Sequence, residues 1–549
     1  MADLISGQRA WWIIGALAAL AALTGVFTIQ PLDRDESRYV QATTQMLETG
    51  DFVEIRFQDE ARNKKPVGIY WLQAVTAGLL TSDAERPVWA YRLPSVLGAI
   101  MAALGCFWAG TRFMSREAAF AAASLFAVSI LLASEGGIAK TDAMLSGATT
   151  LAMAALLALR HGGGRRDALV FWVMLGLGVL VKGPVTPMVA GLAILALLVW
   201  ERKPGWLRPL LFWPGPILAA LIVLPWLIAV QLATDGEFLR EAIGVDLAPR
   251  LTSGLETHGG MPGYHLLTLS VLSFPFIFFL VPGFRAALPG LRDTNSDQAK
   301  AIRFLLAWII PSWIVFELMP TKLPHYPLPV YAALALIAGL GWQAFSATPL
   351  WTRLTSITLG LLGSVVLIAL ILAASIVYGG SPVLAGIAAA ICVMAILAVI
   401  IAIMRKQGTA ALMLAIFAGL SWHVQMRMVA VPLAQDLNLS ERAAQTVADM
   451  TGQSGRDAVS VISSYNEPSL VFALGTETRL VAFDEMGDAV IAQSGAFVSI
   501  EDTARSGDDM ATLEQIETGV CERREVPGYN YSRGEETVLI VRLHNCEQG

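Results

Sequence analysis

Five ionisable side chains fall within six residues near the start of the chain: Asp33, Arg34, Asp35, Glu36 and Arg38, in "DRDESR". They follow an apolar run, "WWIIGALAALAALTGVFTIQ". A carboxylate among cations stays ionised at neutral pH and can take a proton from an attacking hydroxyl or amine. Lys and Arg can hold a phosphate as it gains charge. The same residue types recur at the ends of later apolar blocks. They are Lys64 and Lys65 in "NKKP", Lys140 and Asp142 in "GIAKTDAML", Lys182 in "VKGP", and Lys322, His325 and Tyr326 in "PTKLPHYPLP". Singly, each has a plain structural reading: a lysine reaching back to water, or Thr141 or Asp142 capping a helix. Together they gather carboxylates and cations at one depth, where ionisable groups are costly and tend to be functional. The chemistry this suggests is phosphate handling at a membrane surface. Neither G-x-x-x-x-G-K-[ST] nor a convincing G-x-G-x-x-G is present, so a lipid-linked phosphate donor fits better than a nucleotide.

The elements that would position these residues are membrane helices. Of 549 residues, 55% are hydrophobic and 15% charged, against about a quarter charged in soluble domains. Taking about 20 residues per span, thirteen spans are expected, roughly at 9–30, 93–114, 117–134, 141–160, 167–181, 185–200, 209–232, 263–284, 301–319, 325–343, 352–378, 382–404 and 409–428. The count is twelve if the short blocks on either side of "KGP" form one broken helix. With the N-terminus inside, the inner loops carry fifteen Lys and Arg and the short outer loops three, which fixes the orientation. The first block is too long for a signal-peptide core and reads as a retained helix. The net charge of −6 points to no partner. No basic tract or zinc-ligand pattern supports nucleic-acid binding.

The dense charge falls in three outer segments, at about 31–92, 233–262 and from about 430 onwards. In the first, Tyr39, Ala42, Met46 and Leu47 make one helical stripe that Gly50 ends, with Asp35 and Arg38 on one face. "FVEIRF" alternates like a short strand, and "KKPVGIYWLQAVTAGLL" reads as an amphipathic helix lying in the interface. This loop would cover a cavity opening to the outer leaflet. The division expected is a transmembrane part, 1–430, and a small outer α/β domain, 431–549. In the latter "ERAAQTVADM" reads as a helix and "AVSVISSY", "LVFALG", "TRLVAFD", "GAFVSI" and "TVLIVRLH" as strands. "YNEPS" at 465–469 reads as a turn. Cys106 and Cys392 lie in apolar blocks as packing residues. Cys521 and Cys546 could form a disulfide or stay as thiols.

The stretches "RDESRYVQATTQMLETGDF", "NKKPVGIYWLQAV", "WAYRLPSVLGAI", "KTDAML", "HGGMPGYH" and "PTKLPHYPLPVYAALAL" resemble, in order over residues 10–345, the membrane glycosyltransferases of the C superfamily (GT-C type). The branch is the bacterial aminoarabinose (lipid A) transferase and protein mannosyltransferase-like group. The resemblance implies an inverting transfer from an undecaprenyl-phosphate sugar to a lipid or glycan acceptor such as lipid A, at the outer face of the bacterial inner membrane. The C-terminal domain would then be periplasmic. It implies Asp35, with Glu36 beside it, as the catalytic carboxylate and Asp142 as a second acidic residue. Lys65, Lys182, Arg38, Lys322, His325, Tyr326 and His258 would contact the donor. Many relatives carry a metal-binding Glu where this chain has Lys64, which cannot be a ligand at neutral pH. No metal ligand is therefore assigned, no cofactor is certain, and a divalent metal stays an open question. Protein O-glycosylation from the same donor class is the second reading. Transport of an envelope lipid or glycan is the third, weakened by the lack of an obvious two-half repeat.

Overall fold

The computed structural model describes residues 6–32, 34–82, 87–247, 260–292, 296–453, 459–507 and 509–546. Among these, seven helices are long and apolar enough to cross a membrane, or nine if each of two bent pairs is one span. Two of the expected single spans are those bent pairs. Arg116–Ala127 and Ile130–Gly136 meet at 56°, and Tyr264–Leu272 and Ile277–Leu291 at 114°. The first bend is held by the second: the amide of Ile130 donates to the carbonyl of Phe274 at 2.9 Å. Freed backbone groups at membrane depth need such partners. The expected break at "KGP" is also present. One helix ends at Lys182, Gly183 adopts a φ of +63°, and the next begins at Val185. Arg9–Leu23, Val185–Glu201 and Leu328–Gln343 are apolar but shorter.

The first outer segment contains helix α2 (Arg34–Thr49), which follows α1 (Arg9–Leu23), and then a small hairpin, β1 (Arg56–Phe57) with β2 (Glu60–Ala61). Helix α3 (Gly68–Leu80) comes next, leading into α4 (Val88–Gly110). The "FVEIRF" strand is thus only two residues long. Helix α2 has Asp35 and Glu36 in its first turn, where the helix dipole favours negative charge. Tyr39, Ala42 and Met46 are buried. Gly50, at φ +71°, ends the helix with its amide on the carbonyl of Met46 at 3.0 Å.

The site hangs from the crossing of α4 with α7 (Asp142–Arg160), which lies after α5 (Arg116–Ala127) and α6 (Ile130–Gly136) and is buried over nearly all its length. Small residues let the two backbones approach, as in many membrane helix pairs. A Cβ on Gly98 would stand 2.4 Å from the amide nitrogen of Met144, and one on Gly147 would stand 2.6 Å from the carbonyl oxygen of Gly98. Helix α8 (Arg165–Lys182) and α9 (Val185–Glu201) pack beside α7. Helix α10 (Pro214–Ala233) is apolar and mostly exposed, as a lipid-facing helix is.

Near the C-terminus, five strands form one sheet in the order β4 (Arg479–Leu480), β3 (Val461–Ser463), β5 (Phe497–Asp502), β7 (Glu535–His544), β6 (Val520–Asn530). Strand β3 pairs in parallel with β4 and β5, and β7 is antiparallel to β5 and β6. Two local expectations are corrected. "LVFALG" belongs to a helix, Pro468–Leu474, with Pro at its first position and Gly475 after its end. Leu470, Val471 and Phe472 are all buried, so this apolar run carries no strand alternation to read. Strand β6 was not anticipated, because its "CERREV" start is charged and largely exposed. Cys521 and Cys546 form a disulfide, while Cys106 and Cys392 are buried thiols.

The α4–α7 contact yields a direct test. Gly98→Ala should destabilise the fold by about 1–3 kcal/mol through overpacking, read as a lower unfolding midpoint in detergent. Gly191→Ala, where an added Cβ meets nothing within 4 Å, should leave that midpoint level or raise it.

Candidate active site

Glu36 and Arg92 build the frame. Both are 2% exposed. Arg92 donates through Nε to Glu36 Oε1 at 2.7 Å and through Nη2 to Oε2 at 2.9 Å. Its Nη1 also donates to the carbonyls of Val26 and Ile29, at 2.9 and 2.6 Å. Glu36 Oε1 accepts the amide of Ala139 at 2.8 Å. One charge pair therefore ties α2, the start of α4, the end of the first apolar segment and the turn that carries Lys140 and Asp142. The same turn is held by Gln73 on the carbonyl of Ala139 (3.1 Å) and by Ser95 on that of Lys140 (3.1 Å). Glu36 was expected as a catalytic neighbour of Asp35. In the structure both its oxygens are committed to buried partners, Arg92 and the amide of Ala139.

Asp35 points the other way. Its side chain is 54% exposed, with Arg38 at 3.4 Å and Arg62 at 4.0 Å from Oδ1. Partial burial works to raise its carboxyl. Arg62, Lys140, Arg38 and Lys65 outweigh it and hold the group below its usual range. Arg62, among the loop cations but given no role from sequence, stacks its guanidinium 5.3 Å from the ring of Tyr39 and donates to the Tyr70 hydroxyl at 3.3 Å. Its partners are distributed over α2 and α3, so only the fold shows its place.

Asp142 begins α7 and is buried. Lys182, the last residue of α8, donates to its Oδ1 at 2.6 Å. His325 bridges two carboxylates loosely, Nδ1 to Glu135 at 3.7 Å and Nε2 to Asp142 at 3.8 Å. Lys140 lies 3.7 Å from Glu135. Glu135, absent from the expected set, sits in the apolar-flanked "LLASEGG", a signal the sequence did offer.

A cavity of about 510 Å³ adjoins this cluster. Its polar end holds Lys64, Lys65, Asp142, Lys182 and Tyr326, and its wall is apolar, including Val185, Trp226, Phe238 and Phe316. Lys182 Nζ lies 5.8 Å from the centre of the Tyr326 ring. The shape suits a charged head on a hydrocarbon tail. Lys322 is not brought there. It is buried and its ammonium donates to the carbonyls of Glu317 and Met319, at 2.8 and 2.7 Å, closing the end of helix Asp297–Leu318. His258 lies outside the described residues.

A metal does not suit the donor set at the mouth. Lys64 and Lys65 put two ammonium groups there, and no group of three or more metal-capable side chains occurs among the described residues.

Residues 22–234 match the family description "dolichyl-phosphate-mannose-protein mannosyltransferase". Over 330 residues the chain is 28% identical to the undecaprenyl phosphate-alpha-4-amino-4-deoxy-L-arabinose arabinosyl transferase of Erwinia tasmaniensis, covering 58% of each protein. It is 29% identical over 327 residues to the protein of that name from Pseudomonas aeruginosa, covering 57% of each. The chain thus spans a little under three fifths of the length of the curated relatives it matches. The crystal structure of ArnT from Cupriavidus metallidurans bound to undecaprenyl phosphate superposes with a TM-score of 0.74 at 16% identity, covering 98% of this chain and 99% of that one. The chain resembles the aminoarabinose transferase and mannosyltransferase-like group, and its fold is of the GT-C type. An archaeal oligosaccharyltransferase, AglB from Archaeoglobus fulgidus, is more distant, at a TM-score of 0.50 and 13% identity over 89% of this chain and 69% of that one.

The neighbouring acids separate by experiment. Glu36→Ala strands the buried Arg92 and should cost about 3–5 kcal/mol of stability. Asp35→Asn, at a half-exposed position, should stay within about 0.5 kcal/mol of the parent. Thermal unfolding in detergent reads both.

Proposed function

We propose that the chain is an inverting glycosyltransferase that moves a sugar from an undecaprenyl-phosphate donor to an envelope acceptor such as lipid A, at the outer face of the bacterial inner membrane. The observation that carries this is the cavity with a cationic end and an apolar wall next to a half-exposed, cation-flanked carboxylate. The names of the similar proteins support it. On this reading the chain spans the membrane thirteen times within 1–430 with its N-terminus in the cytoplasm, and residues 431–549 form a periplasmic α/β domain.

Asp35 accepts the proton from the acceptor's hydroxyl or amine. The acceptor's heteroatom forms a bond to the anomeric carbon from the side opposite the phosphate. The bond between that carbon and the phosphate oxygen breaks, and undecaprenyl phosphate leaves with the electron pair. Lys65, Lys182 and Arg38 stabilise the charge gained by the leaving phosphate, Tyr326 lines its path, and Arg62 holds Asp35 ionised. Asp142 orients Lys182, with His325 Nε2 3.8 Å from the same carboxylate.

Asp35→Asn should lower kcat by about 10²–10⁴-fold with the fold intact. Mass spectrometry of envelope glycolipids from cells with and without the gene should show a sugar increment on lipid A that both deletion and Asp35→Asn remove. An unchanged lipid A together with lost glycoprotein signals would move the acceptor to protein. Full transfer by Asp35→Asn would exclude it as the base.

The pH dependence has a definite sign. A depressed carboxyl stays charged at neutral pH, so Asp35 loses its function only as pH falls through that lowered value. Arg62→Gln removes the largest attractive charge on it. The carboxyl should then rise, and the acid limb of kcat/KM against pH should move to higher pH.

A further inference from the structure

Glu467, in the "YNEPS" stretch, is the most enclosed carboxylate of the C-terminal part, with no exposed surface. Its nearest basic partner belongs to a different part of the fold. Arg34, one residue before Asp35, places Nε 3.1 Å from Glu467 Oε2. The remaining contacts hold Glu467 in place from its own side. Ser532 Oγ donates to Oε1 at 2.5 Å, Asn530 Nδ2 lies at 3.4 Å, and Arg533 Nε at 3.9 Å.

The contact is one point of a longer seam. Phe472, on the helix after Glu467, packs into a cluster with Val40 of α2, Ala77 of α3 and Tyr91 of α4. The Thr476 hydroxyl donates to Glu48 at 2.7 Å and accepts from Gln41 at 2.8 Å. Gln58 donates to the carbonyls of Thr476 and Thr478, at 3.0 and 2.5 Å. Residues 467–478 thus run along α2 from its first turn to its last, and the Glu467 contact reaches the turn that bears Asp35. A buried carboxylate held by its own side fixes a cation far better than an exposed pair does.

We propose that Glu467 is a positioning residue: by anchoring Arg34 it keeps the first turn of α2 in register and Arg34 turned away from Asp35, so that the C-terminal part sets the aim of the base. Without Glu467, the Arg34 guanidinium is released beside Asp35 and competes for it. The inference rests on the transfer reading given above, in which Asp35 takes the proton.

The full-length protein in detergent tests it with two readouts on folded material. Glu467→Gln should lower kcat, by up to about 10²-fold for a misplacement near 1 Å, with the KM for the undecaprenyl-phosphate sugar level. Amide hydrogen exchange over residues 34–38 should speed up. The swap Arg34→Glu with Glu467→Arg should recover both in part, whereas Arg34→Glu alone should not. If Glu467→Gln fails to fold, Arg34→Gln serves, since its side chain is 38% exposed. A merely structural role would lower the unfolding midpoint and leave kcat per folded molecule unchanged. Either readout staying at the parent value overturns the proposal. A parent chain without transfer sinks the functional reading instead, and the exchange readout alone then judges the anchor.

Discussion

The Glu36–Arg92 pair is the constraint on which the rest of the site depends. Two charges removed from water are stable only when every lone pair and proton is used, and here they very nearly are. The carboxylate takes two guanidinium bonds and an amide, and the guanidinium takes backbone carbonyls besides. The strength of that demand fixes geometry. Residues flanking Glu36 cannot rotate far about α2 without breaking it, so Asp35, about 100° round the helix, is kept off that buried face. Ala139 cannot drift from Glu36, so Lys140 and Asp142 follow.

A second layer of small residues makes this frame compatible with a membrane. Glycines at 98 and 147 bring α4 and α7 into backbone contact, which sets Asp142 at the end of a buried helix rather than in lipid. Asp142 then meets Lys182 because α8 stops at "KGP", where Gly183 supplies a left-handed turn. Breaks that look like interruptions in the apolar pattern are therefore what bring ionisable groups to the cavity.

What the sequence revealed follows the range of the interactions. Helix α2, its stop at Gly50, the break after Lys182 and the Asp35–Arg38 pair depend on neighbours a few residues away, and all are legible as patterns. The role of Glu36 is not, since Arg92 lies 56 residues on and nothing local separates a buried acid from a reactive one. Lys322 has carbonyl partners only three and five residues back. A lysine just past a helix end has that local use, and clustering with His325 and Tyr326 obscured it. Glu467 read as part of a turn because its significance lies wholly in Arg34, more than four hundred residues earlier in the chain. The strand β6 was hidden for another reason: an edge strand facing solvent needs no apolar alternation.

The charge balance of the site bears on how it would act. Among the described residues, Arg38, Arg62, Lys64, Lys65, Lys140 and Lys182 surround the space, against Asp35, Asp142 and Glu135. Six cations against three carboxylates leave an excess of positive charge in a partly apolar setting, where Coulomb terms are large. A phosphodiester donor brings one negative charge. As the bond to the sugar breaks, the departing phosphate approaches two, so attraction to the same fixed cations grows along the reaction. In the transfer proposed above, protonation of Asp35 would remove its own negative charge and free Arg38 and Arg62 to act on the phosphate. The arrangement thus favours the late, charge-separated state over the bound donor, which is the kind of difference that lowers a barrier. In the proposed transfer this depends on the carboxylate remaining ionised until an acceptor arrives, and the cations next to Asp35 favour its ionised form.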